Sequence, residues 1–383
     1  MKVLQISPVP RTLGGQRAGG VESHVGELID NLSKSGHDCH VLSLGLGPSS
    51  RKVTMFRSYF DITKKFFIGL NFVIKSSMYS SQLSIREWII VCATIGIIKE
   101  IKENVFHYNL IHIHGIGNLA SIACKYLKEV HVVTDHGIGH KPSFITRREF
   151  LKESLELASY VISISNDSEF NIRCLGVSKI KRINNPIDLP PLSGGQALEE
   201  CGDFGFCIFH GVSEVWDRKG LGLISKNLKN ILNELNGTKL VLVCPEYEFR
   251  KLKSDNSFDS NMLKEVIHIP PMARVDLLKL VKSAEFCLLP SKREGFSIAY
   301  IESAALGTPV IGFASNILEI NNIFNTDLNI PFDYKTDDLS LLVRKMKERK
   351  TKRTVVVNNP LSWDAQLTKF IEVYRDSLCR SED

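Results

Sequence analysis

Pro290-Ser-Lys-Arg-Glu-Gly-Phe-Ser-Ile-Ala-Tyr-Ile-Glu-Ser-Ala-Ala-Leu-Gly-Thr-Pro309 reads as a strand end, a loop and a helix that together carry two glutamates. The apolar run Phe286 to Leu289 is short enough for a buried parallel strand, and Pro290 removes the backbone donor needed to continue pairing. Ile298, Ile301, Ala305 and Leu306 then recur at helical spacing. Gly307 and Pro309 stop that helix before a second buried strand, Val310 to Phe313. Glu294 therefore falls in a loop at the carboxyl edge of a sheet, beside Gly295, which allows close backbone approach, and Glu302 falls in the helix. Ligands of open α/β sheets bind beyond the carboxyl ends of the strands, so two acids there suit the hydroxyls of a sugar or ribose. The amides of Phe296 and Ser297, at a helix start, are expected to donate to an anion. The plain alternative is a solvated Glu294 and a Glu302 that caps or pairs locally.

A chain of 383 residues exceeds one ordinary core, so two domains of roughly 180 residues each are expected. Apolar residues make up 43% of it, and no stretch offers the ~20 uninterrupted apolar residues of a membrane span. The longest candidate, Trp88 to Ile98, is too short. The chain enters a strand at once, Lys2 to Ser7, without a signal-peptide pattern, so a cytoplasmic location with nine reduced cysteines is expected. No Cys-x-x-Cys pair occurs, which argues against a zinc or redox motif. A formal net charge of +6 favours anionic ligands or membrane surfaces. Without a nucleic-acid-binding motif, no nucleic-acid partner is expected.

In chain order, the strand Val3 to Ser7 leads into a loop with Gly14, Gly15, Gly19 and Gly20, an amphipathic helix Val21 to Ser35, and a strand Cys39 to Leu44. A glycine-rich loop feeding a helix amino terminus presents free amides to phosphate, but the spacing is not the Gly-x-Gly-x-x-Gly of dinucleotide dehydrogenases. Between Pro48 and Arg86 the pattern loosens. Arg51, Lys52, Arg57, Lys64, Lys65, Lys75 and Arg86 are interleaved with Phe56, Tyr59, Phe60, Phe66, Phe67, Phe72 and Tyr79. This describes either a surface that lies on an anionic bilayer or a partly buried helical insertion with a solvated basic edge. Leu110 to His114 is a strand with His112 and His114 on one face, a pair that suits metal ligation, although packing or crevice lining is the favoured reading because no third ligand sits at a recognisable spacing. A helix near Asn118 to Leu127 follows. The strand Val130 to Asp135 ends at His136, whose following glycine lets the ring stand clear. Tyr160 to Ser165 is a further strand, with Asn166 expected to cap the next helix.

Pro190, Pro191 and Ser193-Gly-Gly195 read as a linker, and Phe206 to His210 opens a second parallel sheet. Gly211 begins a loop ending in Arg218-Lys219-Gly220, whose paired cations at the start of a helix Leu221 to Leu235 would suit an anionic ligand. The alternative for Arg218 is a solvated surface cation. Leu240 to Cys244 and Val266 to Ile269 supply further strands, and Trp363 to Leu378 is amphipathic.

Glu-x7-Glu, followed by Ala-Ala-Leu-Gly-Thr-Pro-Val, resembles the donor-sugar motif of the retaining nucleotide-sugar glycosyltransferases of family four, with the GT-B fold. Gly19-Gly20-Val21-Glu22-Ser23-His24 resembles that family's first loop and helix, Thr134-Asp-His-Gly137 its sugar- or acceptor-facing histidine, and Asn184-Asn-Pro-Ile-Asp188 its turn closing the first domain. The resemblance implies an α/β chain with two Rossmann-like domains facing each other across a deep crevice and a last helix crossing back. The domains would be 1–188 on the acceptor side (with the insertion 48–86), a linker 189–204, a nucleotide-sugar domain 205–360, and the returning helix 361–383. It implies that Glu294 holds the donor sugar, Glu302 the ribose, Lys219 with the amides near Gly19 and Gly20 the diphosphate, and the backbone of Pro271 and Met272 the nucleobase. His136 would orient the sugar or assist proton transfer. The co-substrate would be a UDP- or GDP-sugar with no metal or other cofactor, since no Asp-x-Asp motif is present. The acceptor would be a glycan or lipid-linked glycan of cell-surface polysaccharide or glycolipid synthesis, reached from the inner face of the cytoplasmic membrane through peripheral contact by 51–86. Three departures stand out. Val212 and Ser213 occupy the position of the family's arginine, for which Arg218 is the candidate replacement. Asn185 replaces a glycine, and Asn316-Ile-Leu precedes Glu319 where two glycines are usual. The lost arginine motivates a rival reading, a non-catalytic partner subunit; a GT-B nucleotide-sugar epimerase is the other alternative.

Overall fold

The computed structural model describes the chain except residues 16–18, 77–82, 116–117, 138–145, 193–204, 255–259, 350–358 and 381–383. It divides into one unit of Met1–Pro186 with Trp363–Asp383 and a second of Ile187–Ser362. The division falls just before Ile187 rather than after Asp188 because Ile187 belongs by hydrogen bonding to the later segment. Its amide donates to Leu361 O at 2.7 Å and its carbonyl accepts from Asn359 Nδ2 at 3.1 Å. Most of the expected linker, 193–204, lies outside the described residues.

The first unit holds β1 (Lys2–Ile6), β2 (Asp38–Leu46), β3 (Val53–Phe56), β4 (Leu110–His114), β5 (His131–Asp135), β6 (Tyr160–Ser163) and β7 (Ile180–Arg182). They form one parallel sheet in the order β3-β2-β1-β4-β5-β6-β7. The strands are near-continuous apolar runs because both faces are covered, as a parallel sheet requires. The helix Gly20–Lys34 buries Val25, Leu28, Ile29 and Leu32 on one face, and Trp363, Phe370, Val373 and Tyr374 of the terminal helix Trp363–Cys379 join the same core. Trp363 Nε1 donates to Glu27 Oε2 at 2.7 Å, and the Tyr374 hydroxyl lies 2.7 Å from His112 Nδ1. The terminal helix is thus part of the first unit. The helix after β6 is capped by Ser165, whose hydroxyl accepts from the Ser168 amide at 3.1 Å. Asn166 is its first helical residue, so the cap falls one residue earlier than expected.

The basic, aromatic stretch becomes β3 and a helix, Tyr59–Ser76, laid on the apolar helix Ile85–Glu100. Phe56 and Lys65 turn inward, and Lys65 meets Asp61 at 3.8 Å and Glu100, so one of the seven cations and one aromatic leave the surface. Tyr79 lies outside the described residues. A Cβ on Gly69 would fall on the Cys92 carbonyl and one on Gly96 on the Lys65 carbonyl, so the crossing needs both glycines. Gly96→Val is accordingly expected to cost at least ~1–3 kcal/mol through overpacking. Urea unfolding would check this, and an unchanged midpoint would show that the pair can spread at no cost.

The second unit repeats the design with β8 (Phe206–His210), β9 (Lys239–Val243), β10 (Val266–Ile269), β11 (Cys287–Leu289), β12 (Val310–Phe313) and β13 (Ile330–Phe332). Their order is β10-β9-β8-β11-β12-β13, all parallel. In both sheets the strand order reverses beside the first strand, between β1 and β4 and between β8 and β11. Ligands of doubly wound sheets bind at such switch points.

Candidate active site

At the β8/β11 switch point two loops clasp each other. Gly220 precedes the helix Leu221–Leu235 with φ +91°, and a Cβ there would strike the Pro290 carbonyl. Only glycine meets both demands, the left-handed backbone and the contact. The Lys292 amide donates to Arg218 O at 2.9 Å, closing the clasp. It presents Glu294, 7% exposed, to Lys219 Nζ at 2.6 Å and Arg218 Nη1 at 3.1 Å. Arg218 is therefore turned inward rather than solvated, although its Nε also meets the more exposed Glu214. Val212, expected from the sequence to stand in place of an arginine, is 54% exposed. Burial alone would raise the Glu294 carboxyl, but Lys219 and then Arg218 draw it below its ordinary value. It is ionised at neutral pH. His210, at the end of β8, is pushed down to about 4 by burial and by Lys219, which leaves the imidazole uncharged.

Glu302 lies in the helix Ile298–Ala305, also 7% exposed. Arg274 Nε donates to its Oε1 at 2.6 Å, and Arg274 Nη2 donates to Asp188 O at 3.2 Å. Arg274 opens the helix Arg274–Ser283 directly after Pro271, Met272 and Ala273, so the cation paired with the expected ribose ligand follows the expected base-contacting segment in the chain. Sequence reasoning missed it. The available signal was a forked cation just past a Pro-Met turn. The Ser297 amide is not open to an anion as expected: it donates to Asn316 Oδ1 at 2.9 Å. Buried Asn316 satisfies a helix-start donor that would otherwise be stranded, and Phe296, buried at the same turn, anchors the loop. The carbonyl of Gly295, the preceding residue, lies 3.5 Å from Asn316 Nδ2.

In the first unit Gly19 is the extended residue preceding the helix, and Gly20 is its first residue. The Glu22 carboxylate folds onto the place a Cβ of Gly19 would take. His136 follows β5, and its Nε2 lies 3.4 Å from His114 Nδ1. His114 Nε2 is 2.8 Å from Gln5 Oε1 on β1. His24 completes the group, with ring centroids 5.3 Å from His136 and 5.9 Å from His114. Burial pushes His24 down to about 4 and holds His114 well below the ordinary value, so both rings are neutral. His112 has a structural task. Thr134 Oγ1 and the Tyr374 hydroxyl, each at 2.7 Å, occupy its two nitrogens. His24 was also missed; its signal was a histidine four residues past the paired glycines.

The family model described as Glycosyltransferase Family 4 matches residues 18–190, and that described as Glycosyl transferases group 1 matches 206–338. The chain is 33% identical over 81 residues to a D-inositol 3-phosphate glycosyltransferase of Pseudarthrobacter chlorophenolicus, covering 21% of this chain and 17% of that one. It is 26% identical over 254 residues to the UDP-Gal:alpha-D-GlcNAc-diphosphoundecaprenol alpha-1,3-galactosyltransferase of Escherichia coli, covering 59% and 65%. Each match thus spans less than two thirds of the relative's length. The solved sucrose-phosphate synthase of Thermosynechococcus elongatus is similar in fold, with a TM-score of 0.71 at 18% identity over 99% of each chain.

Proposed function

The chain belongs to the family 4, group 1 glycosyltransferases of the GT-B fold, and on that premise we propose that it moves a sugar from a nucleoside diphosphate donor to an acceptor hydroxyl with retention of anomeric configuration. The observation that carries the reading is Glu294 held ionised between Lys219 and Arg218 at the head of a helix. Charge develops on the diphosphate as the sugar bond breaks, and cations already in place stabilise it without reorganisation. Lys219 and Arg218 take that task with the helix amino terminus behind them. Glu294 then accepts from donor-sugar hydroxyls, Glu302 with Arg274 binds the ribose, the turn at Pro271 and Met272 meets a uracil or guanine base, and Gly19 and Gly20 offer amides to the phosphates. His136 orients the sugar or relays a proton. With the leaving group neutralised by side chains, the reaction needs no metal, so EDTA does not lower the rate.

The test is release of UDP or GDP from a panel of sugar nucleotides by the pure chain, with and without acceptor. Turnover is expected; nucleotide binding without turnover would instead mean a non-catalytic partner subunit. Within the site, Glu302→Gln is expected to raise the donor KM with little change in kcat, because ribose contacts form alike in ground and transition states. A changed kcat at unchanged KM would remove Glu302 from the ribose.

The acceptor we propose is a lipid-linked glycan of a cell-surface polysaccharide or glycolipid, met at the inner face of the cytoplasmic membrane. The Escherichia coli relative, by its name, acts on a diphosphoundecaprenol-linked sugar. Among the described residues no helix is long and apolar enough to cross a membrane. On the helix Tyr59–Ser76, Phe60, Phe67 and Ile74 recur every seven residues, 80%, 63% and 71% exposed, with exposed Lys64 and Lys75 on the same face. Cations near an anionic bilayer contribute about 1 kcal/mol each, and the aromatic stripe adds apolar burial. Salt-sensitive pelleting with anionic vesicles, weakened at least ~10-fold in Phe60→Ser/Phe67→Ser, is the expected result; equal recovery in the supernatant with neutral and anionic vesicles at low salt would remove the contact.

A further inference from the structure

We propose that His24, His114 and His136 form a site for one divalent transition-metal ion of the zinc class, whose occupancy turns the protein off by withdrawing His136 from substrate. One ligand atom from each ring lies within 4.8 Å of the other two. The 3.4 Å between His114 Nδ1 and His136 Nε2 is already the edge of a tetrahedron whose metal–nitrogen bonds are about 2.0–2.1 Å.

Two further observations point to a cation. His24 is 2% exposed, and neither of its ring nitrogens has a hydrogen-bond partner among the described residues. Buried polar atoms without partners are costly, and a metal would satisfy the open lone pair. His114, in turn, is already set as a ligand. Its Nε2 donates to the carbonyl oxygen of fully buried Gln5, so its Nδ1 presents a lone pair to the cluster. An outer acceptor that fixes the tautomer and the ring plane is the usual support of a metal-bound histidine. Three imidazoles with no carboxylate or thiolate ligand suit zinc, copper or nickel rather than magnesium or calcium. The rings also contact one another and the aromatic faces of Trp363 and Phe370, so a purely packing role is the alternative the experiment must defeat.

Full-length protein stripped with EDTA and dialysed is titrated with Co²⁺, followed by its visible ligand-field bands, and with Zn²⁺ against a chromophoric chelator. The expected result is one equivalent of either ion per chain. His24→Phe, which keeps a ring in the apolar pocket but offers no ligand, binds at least ~10-fold more weakly at an unchanged melting temperature. Should that variant not fold, His136→Ala at the half-buried position serves the same comparison. Absence of a stoichiometric cobalt spectrum, or equal affinity in wild type and variant, overturns the site. The inhibitory consequence rests on the proposed transfer reaction: one equivalent of Zn²⁺ slows nucleotide release by wild type and leaves His24→Phe at its own metal-free rate. Saturable cobalt binding without any turnover would keep the metal site and discard the transferase reading, whereas turnover indifferent to bound zinc would discard the switch.

Discussion

Glu294→Gln is expected to lower kcat by about 10²-fold or more, the loss that follows removal of one preorganised electrostatic contact beside the reacting bond. The amide keeps the side-chain size but not the charge that Lys219 and Arg218 converge on. Part of the effect is structural, because two cations then face each other with no anion between them, at about 1–3 kcal/mol. The pH dependence of stability separates the two. Because the Glu294 carboxyl lies below its ordinary value of 4.5 in the folded protein, its contribution is complete above that value and is lost as pH falls through the lower, folded one. Wild type should therefore lose melting temperature through this group on the acid side of pH 4.5, and Glu294→Gln should lack that component. Wild-type turnover in a variant with wild-type melting behaviour would take Glu294 out of the active site.

Lys219→Met should reduce kcat/KM by roughly 10²–10³-fold, the loss that follows when a preorganised cation proposed to stabilise the leaving group is removed. It also removes the 2.6 Å partner of Glu294. With burial then less opposed, the Glu294 carboxyl moves up, and the acidic limb of the rate profile moves to higher pH. Arg218→Met should act in the same direction but less, because that guanidinium is shared with Glu214. The double variant Glu294→Gln/Lys219→Met should depart from additivity by about 0.5–3 kcal/mol, as groups in direct contact do. Additive losses would mean that the two side chains act separately, and a full-rate Lys219→Met would require another source of positive charge.

Much of the architecture was legible because a parallel sheet covered on both faces needs apolar runs closed by glycine, proline or a cap. Phe206 to His210, Val266 to Ile269 and Val310 to Phe313 satisfy that rule, as does the helix Leu221 to Leu235, and all four fall where the pattern placed them. The stretch after Pro48 was ambiguous for a reason visible in the packed helices. Gly69 and Gly96 let two backbones touch, so a helix with apolar residues on several sides is stable there, and Lys65 can turn inward to meet Glu100. No periodic pattern announces that arrangement.

The two glutamates, Lys219 and His136 were legible as loop or helix residues at strand ends, where open α/β sheets bind ligands. What those side chains face was not, because each partner arrives from another element of the fold. Arg274 reaches Glu302 from a separate helix, Asn316 takes the Ser297 amide, and His24 comes from the first helix to stand beside His114 and His136. Arg218 shows the limit most directly. Its sequence allowed a solvated cation or a buried one, and the choice was made by the clasp of Gly220 on Pro290, a contact between loops that only the folded sheet brings together. Local sequence determines which elements form, through apolar period and backbone-specific residues. Charge pairing, tautomer and amide availability depend on distances between elements, and those are set when the layers pack.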